Sequence, residues 1–317
     1  MKDKYRHVGL TRFCRLLGLT RQAYYQHFWY VEEINIEQEM ILKQVQDIRK
    51  NHRHMGGRKL YEKIQPFMLE HQIKMGRDAL FDLLSANRLL VRKKKRRIHT
   101  TQSFHWLRKY PNLIKDFVPT GPNQLWVSDI TYWQIGGGYV YISFITDAYS
   151  HRVVGYHMAE TLEAVQTVEA LKMALHHLPK GHKLIHHSDR GIQYCSAVYV
   201  KLLEENGIKI SMTENGDPRE NAVAERLNGI LKNEYLCDYQ IKNTVQAKEM
   251  VAAAVELYNT ERPHMSIGNL TPDLVHFNNL KTEKLWKNYY CNKPNGVNVF
   301  QDKQTPVNVS QDLIQKP

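Results

Sequence analysis

The stretch LWVSDITYW, residues 125–133, combines the pattern of a buried β-strand with a single carboxylate. Because strand side chains alternate between two faces, Asp129 shares its face with Leu125, Val127 and Trp133, which prefer burial. An ionised carboxylate in such surroundings costs free energy unless it is paired or holds a cation. The stretch therefore predicts a strand that carries a functional group.

The residues that follow predict a mixed sheet. GGG at 136–138 is typical of a hairpin turn between two strands, and a third strand follows as HRVVGYHMA. Helix and strand patterns then alternate, starting with a helix for which Thr161 is the expected N-cap and ending with a long helix from about Pro218 to Leu236. This order predicts an α/β fold with a five-stranded mixed sheet and helices on its faces.

Two further acids fall at positions where such a fold exposes chemistry. Asp189 ends the fourth predicted strand. Glu225 lies on the long helix, on the same side as Asn221, Asn228 and Lys232 at about 100° per residue. Three carboxylates about 5 Å apart repel by roughly 3 kcal/mol per pair at an effective dielectric near 20, and divalent cations such as Mg²⁺ or Mn²⁺ remove that repulsion. Each acid alone would also fit an ordinary role, as a strand-end acceptor, a turn former or a solvated helix residue.

Charge is distributed unevenly along the 317 residues, whose formal net charge is +12. Residues 1–110 hold 24 Lys and Arg against 10 Asp and Glu, and the remainder holds 20 against 22. The basic N-terminal third predicts binding to a polyanion, with nucleic acid as the commonest candidate. Four widely spaced cysteines argue against a disulfide framework or a zinc ribbon, and the sequence shows neither a signal peptide nor a membrane-spanning run.

The N-terminal third also has its own local patterns. LTRFCRLLGLTRQAYYQ, residues 10–26, predicts two helices around a turn at Gly18, with Thr20 capping the second, which is helix-turn-helix spacing. VRKKKRR ends in six consecutive basic residues, and such a run is normally disordered or bound to phosphates. The segment from about 99 to 121 has two prolines near its end and no clear period, as expected of a linker.

The spacing of the three acids adds specificity to this interpretation. Between Asp129 and Asp189 lie 59 residues (189 − 129 − 1), and between Asp189 and Glu225 lie 35 (225 − 189 − 1). The motifs are WVSDITY, HHSDRGIQYCS, ENAVAERLNGILKNE with Lys232 seven residues after Glu225, and YNTERPHMSIGNLTP at 258–272. With them the chain resembles the DDE transposases of bacterial insertion sequences, notably the second-frame product of the IS3 group, which look like retroviral integrases. GGRKLYEKI and ANRLLVRKKKRR resemble the N-terminal DNA-binding segment of that family.

The resemblance implies a ribonuclease-H-like core in which Asp129, Asp189 and Glu225 are catalytic and hold two Mg²⁺ ions, with Mn²⁺ able to substitute. Such enzymes nick the 3′ ends of the element with water and join the freed 3′-hydroxyl to another phosphodiester, without a covalent enzyme intermediate. Lys232 is expected to contact a DNA phosphate. Further DNA contacts are expected from Arg58, Lys59, Arg92, Lys93, Lys94, Lys95, Arg96 and Arg97.

The same resemblance sets expected segments and partners. The segments are a helix-turn-helix-like piece at 1–45, a basic helical DNA-binding piece at 46–98, a linker at 99–121, an integrase-like catalytic core at 122–280 and a polar tail at 281–317. The expected partners are DNA, both element ends and target, a homo-oligomer formed on that DNA, and an upstream-frame partner or fusion. The expected location is the bacterial cytoplasm, at the nucleoid and not at a membrane.

Two other functions remain open at this stage. The chain could be a catalytically silent DNA-binding protein that regulates transposition, or a ribonuclease-H-like nuclease that only hydrolyses. The YNTERPHMSIG stretch is expected to pack against the core, with Arg262 and His264 facing DNA as a second interpretation. His52 and His54 lack the paired cysteines of the retroviral zinc module, so no zinc is assigned.

Overall fold

The computed structural model describes residues 9–91, 106–136, 138–214, 218–237, 239, 241 and 243–285. The described residues all belong to one compact unit, Met1–Leu285. No helix in this described part has the length and apolar character needed to cross a membrane. The predicted basic run Arg92–Arg97 lies outside the described residues.

Four helices form the N-terminal region: α1 (Leu10–Leu16), α2 (Arg21–Asn51), α3 (Gly57–Glu70) and α4 (Arg77–Ala86). The predicted cap is confirmed, because the Thr20 side chain accepts a hydrogen bond from the Ala23 amide at 3.0 Å. Helix α2 is longer than the sequence pattern indicated, at 31 residues, and it runs across the predicted segment boundary at residue 45. It contains neither glycine nor proline, and Ile41 and Val45 anchor it in an apolar cluster shared with α3 and α4.

The predicted mixed sheet of five strands is confirmed. The strands are β1 (Leu125–Ile135), β2 (Gly138–Asp147), β3 (Val153–Ala159), β4 (Ile185–Ser188) and β5 (Lys209–Met212), in the spatial order β3-β2-β1-β4-β5. The first three form an antiparallel meander, and β4 and β5 add in parallel beside β1. Strand β1 therefore lies in the centre of the sheet, with an antiparallel neighbour on one side and a parallel neighbour on the other.

Helices cover both faces of the sheet, as the sequence order predicted. Helices α5 (Ala164–His176) and α6 (Ala197–Glu205) pack on one face, where Leu171 of α5 and Trp126 of β1 belong to the same apolar cluster. On the other face lie α7 (Ala222–Ile230) and α8 (Thr244–Thr260), and α9 (Pro272–Asn278) follows. Gly155 on β3 allows the backbone of α5 to approach closely, since a Cβ there would clash with the Ala170 carbonyl oxygen.

Two local predictions needed correction. The first predicted crossover helix begins at Ala164 with Glu163 as its N-cap, and Thr161 does not cap it. The chain bends at Glu160 and Thr161, and the Leu162 carbonyl accepts a hydrogen bond from the Gln193 side chain at 2.9 Å. The predicted long helix is three segments, a 3-10 turn at Pro218–Asn221, α7, and a π turn at Leu231–Tyr235.

Candidate active site

Sheet register brings the two predicted aspartates together. In the parallel pairing of β1 with β4, Ser128 is the register partner of Ser188. Asp129 and Asp189 directly follow this pair on two adjacent strands, and adjacent strands of a sheet lie about 4.8 Å apart. Both side chains are half-buried. The resemblance implied that these acids meet, and the strand order and register supply the geometry.

The loop after β4 orients the second aspartate. Asp189 Oδ1 accepts a hydrogen bond from the Gly191 amide at 3.0 Å. A Cβ at position 191 would lie 2.9 Å from the same oxygen, which is closer than a carbon and an oxygen tolerate. Glycine at this position therefore lets the backbone amide reach the Asp189 carboxylate.

Two asparagines fasten α7 across the acid of β1. Asn221 Nδ2 donates to the Ser128 carbonyl at 2.9 Å, and Asn228 Nδ2 donates to Asp129 Oδ2 at 2.8 Å. Both side chains are buried, and Glu225 lies between them on the same helix side, with its own side chain exposed. The predicted helix phase is confirmed, because Leu227 and Ile230 pack into the core on the other side.

Electrostatics at Asp129 are unfavourable for an ionised acid. Removal from water, then the negative charge of Asp189 and a smaller contribution from Glu225, raise its pKa to about 7. Hydrogen bonds from the Ile130 amide (2.8 Å) and Asn228 act in the opposite direction without compensating. A carboxylate destabilised by neighbouring acids is the expected state of a cation ligand without its cation.

The donor chemistry of this site fits a divalent metal such as Mg²⁺. Its carboxylates are hard oxygen ligands, and the buried Asn228 Oδ1 has no hydrogen-bond partner among the described residues. Within the part of the chain that the structure describes, no three His, Cys, Asp or Glu side chains converge as a complete metal cage. The arrangement is therefore an aspartate pair with a glutamate beside it on the adjoining helix.

Lys232 lies at the edge of this site. Its Nζ is 4.0 Å from the centre of the Tyr132 ring, a cation–π contact with β1. Burial lowers the pKa of Lys232, and the charge of Asp129 acts to raise it. The lysine thus lies in the electrostatic field of Asp129 on β1.

Two histidines before Asp189 are structural. His186 shares hydrogen bonds with Ser128 Oγ (2.7 Å) and Tyr199 OH (2.9 Å), and His187 with Ser211 Oγ (2.9 Å). Burial lowers the pKa of His186 to about 3 and that of His187 to about 4. Both rings are therefore neutral near pH 7 and belong to the core beneath the site.

The other predicted contacts separate by their surroundings. Arg58 is exposed on α3. Lys59, the next residue, donates to Glu234 Oε1 at 3.2 Å, so its ammonium is used inside the protein. The interpretation in which Arg262 and His264 face DNA is wrong: Arg262 is 1% exposed and pairs with Glu234 through both Nε (2.8 Å) and Nη2 (2.7 Å).

Sequence reasoning missed the acidic member of this last cluster, Glu234. Glu234 follows Lys232 in the π turn, where it receives Arg262 and Lys59 from distant parts of the chain. The available signal was its position in ENAVAERLNGILKNE, nine residues after Glu225. That spacing did not indicate a partner, because an ion pair between residues 175 positions apart leaves no local pattern.

Comparison with known proteins agrees with this architecture. Two family models, each described as "Integrase core domain", match residues 119–218 and 206–272. Together they span β1 to α8 and end at the first residue of α9, including the three acids, the π turn and the Arg262 stretch. The matched region is the sheet and the helices that form the candidate site.

Relatives and solved structures extend the comparison. The chain is 36% identical to the insertion element IS600 uncharacterized 31 kDa protein of Shigella sonnei, over 82% of this chain and 95% of that protein. It is 30% identical to the transposase for insertion sequence element IS629 of Shigella sonnei, over 74% and 78%. A solved HTLV-2 integrase catalytic core in complex with magnesium is 22% identical, with a TM-score of 0.40, over 49% of this chain and 97% of that one. On the sequence matches, the chain belongs to the DDE transposases of bacterial insertion sequences that share the integrase core, in the IS3 group.

Proposed function

We propose that this transposase cuts the 3′ ends of its own insertion sequence and joins them to target DNA, using Asp129, Asp189 and Glu225. The observation that carries the proposal is the aspartate pair on adjacent strands, in which Asp129 has a pKa raised to about 7. Such a pair costs stability, because burial and the charge of Asp189 both disfavour ionised Asp129, and a bound cation would offset that cost.

A divalent metal is the cofactor of the proposed reaction, and two Mg²⁺ ions, replaceable by Mn²⁺, are its finer form. Asp129, Asp189 and Glu225 would hold the metal. When bound, it would make water a better nucleophile and offset charge on the scissile phosphate. The integrase-core match and the oxygen-rich site support this assignment.

The chain's own residues prepare the site for this chemistry. Asn228 holds one Asp129 oxygen and the Ile130 amide holds the other, so the carboxylate has a fixed orientation before substrate arrives. The Gly191 amide does the same for Asp189. Asn221 and Asn228 together set the position of the helix that carries Glu225. The site is thus preorganised, with Glu225 exposed towards an incoming DNA end.

DNA is the proposed substrate, in the form of element ends and target. We assign phosphate contacts to exposed Arg58, to Lys232 at the site edge and to the basic run Arg92–Arg97. The excess of 24 basic over 10 acidic residues in positions 1–110 supports a DNA-binding role for this region. Affinity for DNA should therefore fall steeply as salt concentration rises.

The remaining proposals concern assembly and place. A single site would act on one phosphodiester at a time, so joining two element ends favours a homo-oligomer on DNA. A partner from an upstream reading frame, separate or fused, would add to recognition of the ends. The proposed location is the bacterial cytoplasm, where the chain would meet nucleoid DNA. Within the chain, the described N-terminal helices serve recognition and the core up to α9 serves catalysis.

The test is an assay with labelled DNA that carries the inverted repeats flanking the gene. Full-length protein with Mg²⁺ should release the 3′ end and then join it to a second duplex, and a chelator should stop both steps. Binding without cleavage would support a silent regulator of transposition. Cleavage without joining, under conditions where target DNA is bound, would support a hydrolytic nuclease.

A further inference from the structure

A polar clamp joins the N-terminal helical region to the catalytic core. On the N-terminal side are four basic or imidazole side chains around the start of α3, and on the core side are two glutamates and two tyrosines after Glu225. The N-terminal members are His52, Arg53, Lys59 and Lys63; the core members are Glu234, Tyr235, Tyr239 and Glu261. Opposite charges thus face each other across the junction.

The contacts of the clamp are short and partly buried. Lys59 Nζ donates to Glu234 Oε1 at 3.2 Å, and Lys63 Nζ donates to Glu261 Oε2 at 3.0 Å. His52, 2% exposed, lies between Tyr235 OH (3.1 Å from Nδ1) and Glu261 Oε2 (2.9 Å from Nε2). The tautomer that carries its proton on Nε2 satisfies both contacts. Burial lowers the pKa of Lys59 to about 8, an indication of how far its ammonium is removed from water.

Two core members of the clamp, Glu234 and Tyr235, belong to the π turn that follows the helix of Glu225. The turn is closed by a hydrogen bond from the Leu236 amide to the Leu231 carbonyl at 2.9 Å, five residues back. Turns of this kind are rare and cluster at functional sites. Within this one, Lys232 faces Tyr132 beside the acids, Glu234 faces Lys59 and Arg262, and Tyr235 faces His52. Its position is therefore set from the active site and from the N-terminal region together.

We propose that Lys59 and Lys63 are positioning residues for cleavage. Lys59 holds Glu234 in the π turn, Lys63 holds Glu261 at the end of α8 beside His52 and Tyr235, and together they fix the turn, and through it Lys232, at the edge of the active site. The inference rests on the proposed function. It assigns these two lysines to a task inside the protein, in contrast to exposed Arg58 next to Lys59. DNA held by the N-terminal region would thereby be held in register with the catalytic acids.

The experiment uses the full-length chain with Lys59→Met and Lys63→Met together, which leaves the Glu234–Arg262 pair intact. Three quantities are measured: affinity for terminal DNA, single-turnover 3′-end cleavage with Mg²⁺, and hydrogen exchange of the amides in residues 231–236. We expect cleavage to fall several-fold, as far as the loss of Lys232 itself would lower it, because a phosphate-binding group is displaced. DNA affinity should stay within about threefold, and exchange in the π turn should become faster.

The matched control is Lys172→Met with Lys201→Met, which removes the same charge from two exposed ion pairs. It should change neither cleavage nor exchange at 231–236. Lys59→Arg with Lys63→Arg should restore most of the cleavage, since the charge and the reach return. If the double methionine variant does not fold, Lys59→Met alone keeps the Lys63–Glu261–His52 contacts and serves in its place.

Three results would overturn the proposal. They are cleavage at the wild-type level, exchange unchanged in the π turn, and a loss of cleavage no larger than a parallel loss of DNA affinity, which would make the lysines simple DNA contacts. If the wild-type chain cleaves no DNA, the proposed function fails by itself. The exchange comparison then decides the clamp, with faster exchange supporting it and unchanged exchange contradicting it.

Discussion

Two half-buried carboxylates, Asp129 on β1 and Glu234 in the π turn, show how differently one fold treats the same group. Glu234 lies between Arg262 at 2.7 Å and Lys59 at 3.2 Å. Burial acts to raise the pKa of Glu234, but these two cations outweigh it and the pKa is lowered. At Asp129 burial acts together with Asp189, and the pKa rises to about 7.

The comparison distinguishes Glu234, whose negative charge is balanced by cations of the chain itself, from Asp129, which we assign to an external cation. Glu234 receives its cations from the chain, and the result is a structural ion pair. Asp129 accepts hydrogen bonds from two neutral N–H groups, which orient the carboxylate without neutralising it. Its charged neighbour is another acid, Asp189. Strain of this kind persists where function requires it, so Asp129 marks the site and Glu234 supports it.

The largest expected effect is that of replacing the acids of the site. Asp129→Asn, Asp189→Asn and Glu225→Gln should each reduce cleavage to under about a tenth of the wild-type rate, because each removes a negative ligand of the cation. Binding to terminal DNA should remain near normal. Single-turnover cleavage and a binding isotherm on the same preparation provide the measurement.

The control for these variants is Glu205→Gln, a change of the same kind on exposed α6. It should leave cleavage unchanged. A site variant that keeps more than about a tenth of the activity would remove that residue from the catalytic set.

The next effect is on stability and tests the other side of the comparison. Glu234→Gln should lower the free energy of unfolding by about 3 kcal/mol, because buried Arg262 loses its charge partner. Lys59→Met should cost about 1 kcal/mol, since the Glu234–Arg262 pair survives. Urea denaturation followed by far-ultraviolet circular dichroism measures both. A Glu234→Gln variant as stable as the wild type would contradict the view of this carboxylate as structurally paired.

A smaller effect concerns pH in the absence of divalent metal. The pKa of Asp129 in the folded chain, about 7, lies above its value of 3.8 in the unfolded chain. Between these two values the folded state binds a proton that the unfolded state has released, so stability falls as pH rises through this window. Relative to Asp129→Asn, the wild type should lose roughly 2 kcal/mol between pH 5 and pH 8. If the stability of the two proteins changes equally with pH, the predicted rise in the pKa of Asp129 is wrong.

The smallest predicted effect is that of changing Lys232, which contacts β1 near Asp129 and shares the π turn with Glu234. Lys232→Ala should lower cleavage several-fold and reduce the salt slope of DNA binding by about one unit, since one phosphate contact is lost. Metal binding measured by calorimetry should stay close to normal. Lys248→Ala, at an exposed position on α8, is the comparison variant. Loss of metal binding in Lys232→Ala, or unchanged cleavage with an unchanged slope, would refute the phosphate role.

Local patterns explain why much of the site was predictable from the sequence. The alternation around Asp129 and the period of the helix around Glu225 fix which residues share a face, so the side of Asn221 and Asn228 followed directly. The order of the strands within the sheet, which the sequence did not predict, brings Asp189 beside Asp129. These features depend on residues close together in the chain or on the regular geometry of a sheet.

What the sequence did not predict depends on contacts across the fold. The pairing of Glu234 with Lys59 joins residues 175 positions apart, and the π turn arises where several such contacts meet. The failure of Thr161 to cap α5 has the same origin, since Gln193 holds Leu162 from another loop. Tertiary contacts override local preference in each case.

The most direct test of the central claim is the rise in melting temperature that Mg²⁺ causes at pH 8, in the wild type, Asp129→Asn and Glu234→Gln. A ligand that binds only the folded state raises the melting temperature, by a few degrees when the ligand concentration is well above the dissociation constant. We predict this rise in the wild type and in Glu234→Gln, and its loss in Asp129→Asn. An equal rise in the wild type and in Asp129→Asn would contradict the assignment of Asp129 as the carboxylate that the fold leaves for a metal.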